Sequence, residues 1–172
     1  MILGMSTSTF TLLHVVLSLI GIAAGFIVVA GVLASRKLDG WTGLFLLTTI
    51  LTSVTGYFFP VDRVLPSHIV GALSLAVLVI AVLAFYRYRL QGSWRWIYVV
   101  TALVALYLNV FVGVVQAFQK IPLLNSLAPQ GSEPPFIIAQ VIVLVALIAI
   151  GVVALRSFHP GTQVPELRAV KT

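Results

Sequence analysis

The chain has 172 residues, of which 60% are hydrophobic and 8% charged, with a formal net charge of +6 and a mean hydropathy of +1.16. Soluble domains carry roughly 25% charged residues, so this composition cannot cover a soluble core and its natural solvent is lipid. The sequence holds no cysteine, which excludes disulfides, thiolate metal sites, iron–sulfur clusters and thiol redox chemistry.

A membrane-crossing helix needs about 20 mostly apolar residues. Five stretches qualify, predicting an all-α integral membrane protein with a single transmembrane domain over 1–172. The first runs over about 10–34. Its leader carries no positive charge and the apolar run is too long for a cleaved signal, so it is expected to insert and remain. One face of it presents His14, Ser18, Gly21 and Gly25. The second stretch, about 41–59, carries Thr48, Thr52 and Thr55 on one side, with Thr49, Ser53 and Gly56 beside them. Such hydroxyls ordinarily bond back to their own helix.

A turn bounded by Pro60 and Pro66 leads to Ser67, a suitable N-cap for the third stretch, about 67–86. That stretch places His68, Gly71, Ala72 and Ala76 on one face. The fourth, about 94–118, places Ala105, Asn109, Gly113 and Ala117 at helical spacing, with Gln116 close by. Ile121 to Leu127 has the pattern of a short interfacial helix. The fifth stretch, about 135–155, has Gln140 near its start, and residues 160–172 form a polar tail.

All Asp, Glu, Lys and Arg residues fall between or beyond these stretches, as the cost of ionised groups in hydrocarbon requires. One side carries eight basic residues: Arg36, Lys37, Arg87, Arg89, Arg95, Arg156, Arg168 and Lys171. The other carries two, Arg63 and Lys120, beside Asp62 and Glu133. The positive-inside rule makes the first side cytoplasmic, with the N-terminus periplasmic and the tail inside. That distribution accounts for the basic charge without nucleic acid.

Two segments look alike. His14-Val15-Val16 opens the first stretch and His68-Ile69-Val70 the third. Lys37-Leu38-Asp39-Gly40-Trp41 and Arg89-Leu90-Gln91-Gly92-Ser93-Trp94 make the two cytoplasmic turns. The pattern suggests a four-helix bundle of two repeated hairpins plus a fifth helix.

The demanding polar side chains gather in the outer half of this bundle, while the inner half reads as nearly all aliphatic. His14 and His68 are candidate haem b ligands, with Arg63 and Lys120 as candidate propionate partners. Asn109, Gln116, Gln140 and Tyr57 would line a pocket at the same level. A quinone or a lipid is the alternative occupant, and interhelical hydrogen bonding alone the alternative role. No intramembrane carboxylate or lysine marks an ion path, and no nucleophile, base and acid are grouped for hydrolysis.

Thr55-Gly56-Tyr57-Phe58-Phe59-Pro60, Leu65-Pro66-Ser67-His68-Ile69-Val70-Gly71, Trp94-Arg95-Trp96-Ile97-Tyr98 and Glu133-Pro134-Pro135-Phe136 together resemble a family of small proteobacterial inner-membrane proteins, over most of the chain. The resemblance implies a bacterial inner-membrane location and transfers no activity. More loosely, the histidine-bearing bundle is similar to cytochrome-b-type membrane proteins, which would imply haem. The expected function is a non-enzymatic membrane protein with a ligand-binding pocket. A scaffold or accessory subunit of a larger membrane complex and a haem-linked electron carrier are the alternatives.

Overall fold

The structure is a computed structural model and describes residues 2–60 and 66–159. Six helices follow in order: α1 Thr7–Leu33, α2 Asp39–Gly56, α3 Pro66–Val82, α4 Trp94–Lys120, α5 Pro122–Leu127 and α6 Pro134–Ser157. A π-helical segment, Leu83–Arg87, extends α3. The only extended pairing among the described residues is the isolated Ile2–Met5 bridge.

Local chemistry sets the ends. The Ser6 hydroxyl accepts from the Thr9 amide at 3.2 Å and caps α1. Pro122 and Pro134 open α5 and α6, where a missing N–H costs nothing. Ser67, expected as the cap of α3, lies one residue inside it, because Pro66 already has helical geometry.

α1, α2, α3 and α4 form a square in which each packs antiparallel to its chain neighbour and α4 closes against α1, while α6 lies outside against α4 and α1. Glycines set the closest approach. A Cβ on Gly25 would sit 2.7 Å from Leu106 Cδ1 and 3.0 Å from the Phe45 ring. Only a bare Cα admits α2 and α4 to α1 at that level.

Among the described residues, four of the six helices are long and apolar enough to cross a membrane: α1, α3 with its π segment, α4 and α6. The expectation of five is corrected at α2, which has only 18 residues, including five threonines, a serine and Asp39. The reason lies in its two faces. Thr42, Thr48 and Thr49 are buried against its neighbours, whereas Leu44, Leu47, Leu51 and Val54 point outward. The polar side is spent inside the bundle, which lowers the average of the segment.

The outward surface is apolar on the other helices too. Leu12, Leu19 and Phe26 of α1, Leu73 and Val79 of α3, and Ile138, Ile142 and Val145 of α6 are all exposed. An apolar face this extensive is stable only against lipid or other apolar helices. Ala72 and Ala76 of α3 also face outward, and Ser74, Leu78 and Ala81 take the inward positions instead.

The two ends of the bundle differ. At the basic end, Phe85, Tyr98 and Phe158 are buried together, and the Tyr98 hydroxyl lies 3.2 Å from Thr42 Oγ1. This half is aromatic at its base, which corrects the aliphatic reading. The α3–α4 turn is tight: Arg89, Leu90 and Gly92 have φ of 48°, 59° and 52°. For Arg89 and Leu90 the left-handed backbone costs about 1–2 kcal/mol each, and the burial of Leu90 in the core offsets part of it. The α1–α2 turn is built differently, with Ser35 left-handed at φ 53° and Gly40 inside α2.

Candidate functional site

At the other end, the histidine end, a cavity of about 90 Å³ opens among α1 to α4. Its polar lining includes His14, Thr49, Thr52, Ser53, Ser74 and Asn109. Along α2 it reaches from Gly56 down to Thr49, a depth of about 10 Å at 1.5 Å per residue.

Each side chain is held by its helix neighbours. Thr55 donates its proton to the Leu51 carbonyl at 2.7 Å. Its oxygen therefore accepts from His14 Nδ1–H at 2.8 Å, which leaves Nε2 of His14 as an acceptor. The His14 ring also meets the edge of Phe59 at 5.3 Å between centroids. Ser18 donates to Asn109 Oδ1 at 2.9 Å, turning the amide nitrogen away from α1's serine. Ser53 donates to Ser74 at 3.2 Å across α2 and α3.

Three residues of this lining carry a buried atom with no hydrogen-bond partner among the described residues: Thr49 Oγ1, Thr52 Oγ1 and Asn109 Nδ2. Thr48 and Thr55 bond back to their own helix, as expected for helical threonines, but Thr49 and Thr52 do not. The sequence offered no signal to separate these pairs, since all four lie on adjoining faces of one helix. The unpartnered pair is what the candidate site turns on.

The predicted site residues divide. His14 and Asn109 line the cavity. Tyr57 stands beside it, its hydroxyl donating to the His68 carbonyl at 2.7 Å and its ring stacked on His68 at 5.4 Å. Gln140 is buried between α6 and α4, its amide donating to the Phe111 carbonyl at 3.2 Å while Oε1 has no partner. It lies outside the cavity and holds α6 in place. Gln116 is exposed, because the face of α4 that carries it turns away from the bundle. Lys120 ends α4 and is exposed, and Arg63 lies outside the described residues.

The residues present do not fit a haem bridging His14 and His68. The two histidines reach α2 from opposite neighbours, His14 from α1 and His68 from α3. The space between is about 90 Å³ and filled at its walls by Thr52 and Ser53, whereas sites for ligands of drug size or larger measure roughly 300–1,000 Å³. Among the described residues no group of three or more His, Asp or Glu side chains converges to hold a metal ion.

A second cavity of about 150 Å³ lies under the α5–α6 loop, and none of the unpartnered buried atoms lines it. The loop above is fastened by Glu133, whose carboxylate accepts from the Gln130 amide at 3.0 Å and the Ser132 amide at 3.0 Å. The Gln130 N–H foremost holds this carboxyl below its ordinary value of 4.5. The contribution of Glu133 is therefore complete above the ordinary carboxylate value and lost as pH falls through the depressed one. The backbone amide resonances of Gln130 and Ser132 should titrate together in that acidic range, and in Glu133→Gln the transition should vanish.

Comparison with protein-family models, curated proteins and solved structures found no match to this chain. Fold and surface by themselves define a helical membrane protein.

Proposed function

We propose that this chain is an integral protein of a bacterial inner membrane that binds a small lipid-soluble molecule, without catalysing a reaction on it, in the cavity at its histidine end. One observation carries the reading: Thr49, Thr52 and Asn109 all line one cavity, and each carries a buried polar atom with no partner among the described residues. Each such atom costs about 1–3 kcal/mol when it stays unsatisfied. A ligand that supplies the missing partners recovers that energy as affinity. Binding is favoured over catalysis because the lining offers hydroxyls, an amide and one imidazole, with no carboxylate beside them among the described residues.

The orientation follows from charge. The basic end, with eight Lys and Arg residues in the full sequence against two at the histidine end, faces the cytoplasm. The cavity then opens on the periplasmic side. The absence of cysteine permits a direct test of this placement. In intact cells, a membrane-impermeant thiol reagent should label Pro60→Cys and spare Gln91→Cys; the reverse pattern would invert the topology.

Ligand binding is tested on protein purified in mild detergent. Organic extraction and mass spectrometry should recover about one small molecule per chain from the wild type and little from Thr49→Val. Identical extracts from the two proteins would end the proposal.

A further inference from the structure

We infer that the group recognised at the closed end of this cavity is a neutral carbonyl oxygen, received by the Asn109 amide and the Thr49 hydroxyl. The inference rests on the cavity being a binding site and names the chemistry of what enters it.

The first support is the direction of the unpartnered groups. Asn109 Nδ2 can only donate, and with Oδ1 accepting from Ser18 it is left without a partner among the described residues. Asn109 is 7% exposed and Thr49 1% exposed, so neither reaches bulk water. The two groups converge beside Gly21. The position a Cβ would take there lies 3.0 Å from Asn109 Nδ2 and 3.1 Å from Thr49 Oγ1. Thr48 Oγ1 lies 3.2 Å from the same position, so any side chain in place of Gly21 would crowd all three polar atoms. A carbonyl oxygen has two lone pairs and accepts from an amide N–H and a hydroxyl at once.

The second support is that no Asp, Glu, Lys or Arg lines the cavity among the described residues. A charged ligand would lose its hydration with nothing to replace it. The third is size: a cavity of about 90 Å³ is well below the roughly 300–1,000 Å³ that encloses a whole ligand of drug size, so only the carbonyl end enters and the remainder lies beyond His14 and Ser67 at the mouth. In a membrane, two sources present a neutral carbonyl on an apolar tail: the ring of a quinone and the ester of a glycerolipid.

The test uses delipidated full-length protein in detergent and three probes. These are a decyl-substituted benzoquinone and a short monoacylglycerol, both ¹³C-labelled at the carbonyl, and the alkyl glyceryl ether that matches the ester without its carbonyl. At least one carbonyl probe should bind about tenfold or more tightly than the ether, the worth of one buried hydrogen bond. Its carbonyl stretch should fall below the frequency in empty micelles. Asn109→Leu should lose both the affinity and the shift. Ser18→Ala, which leaves the packing almost unchanged, should retain binding while its stretch moves back toward the free value.

Binding of the quinone alone assigns the ring as the source, and binding of the ester alone assigns the lipid. Equal binding of the ether, with no shift for either carbonyl probe, overturns the carbonyl inference and leaves the binding site standing. Failure of all three probes to bind overturns the binding site as well.

Discussion

Thr49→Val/Thr52→Val should melt at a higher temperature than the wild type when both are free of ligand, and should bind no ligand. Both hydroxyls are buried without a partner. An unsatisfied buried hydroxyl costs about 1–3 kcal/mol, and a methyl group of the same volume does not incur that cost. The double variant should therefore gain about 2 kcal/mol or more. Thr48→Val supplies the contrast. Its hydroxyl donates to the Leu44 carbonyl at 2.7 Å and is already satisfied, so its removal should change stability by about 1 kcal/mol or less. The measurement is thermal unfolding in detergent with and without extracted lipid. A double variant less stable than the wild type would mean that ordered water already satisfies these hydroxyls. Stability sacrificed at a functional site and regained when that site is erased is the expected signature of a binding pocket.

The course of the chain was readable because ionised side chains are confined to helix ends. The expected stretches 10–34, 67–86, 94–118 and 135–155 match α1, α3 with its π segment, α4 and α6 within a few residues at each end. Even α5 was legible, within the expected short helix over Ile121 to Leu127. The second stretch was misjudged for a physical reason. Apolarity was judged from its leucines, while its threonines serve the bundle interior and leave the segment short of a crossing on its own.

The candidate site was half legible. Periodicity placed His14, Ser18 and Asn109 on inward faces, and the structure joins Ser18 to Asn109. It could not place His68 relative to His14, because that depends on which helices are diagonal in the square. With α2 between them, the two rings engage different partners, Thr55 and Tyr57. Nor could spacing tell a threonine bonded to its own helix from one left without a partner. That choice depends on the rotamer each side chain adopts against its neighbours. The aromatic base at the other end was missed because Phe85, Tyr98 and Phe158 lie far apart in sequence and meet only where α3, α4 and the end of α6 converge.

That base carries the second large effect. Phe158→Ala is expected to destabilise the protein by about 3–5 kcal/mol, the usual cost of deleting a fully buried aromatic ring. Phe158 is 1% exposed and tilts against Tyr98 with centroids 6.5 Å apart. Its carbonyl accepts from Arg95 Nη1 at 2.8 Å, and the next residue, His159, donates its amide to Ser35 Oγ at 2.8 Å. These contacts fasten the end of α6 to α4 and to the α1–α2 turn, while its start is held by Gln140. Arg95→Ala removes one hydrogen bond to a charged donor and should cost less, about 1.5–3 kcal/mol. Ligand affinity should survive both changes below the lowered melting temperature. Tyr98 and Asn109 are about 16 Å apart along α4 at 1.5 Å per residue, and no cavity wall is shared between the two ends. If Phe158→Ala melted like the wild type, α6 would be held by its apolar length alone. If it lost ligand as well as stability, the two ends of the bundle would be coupled through α4, and the cavity would depend on the packing at the far end.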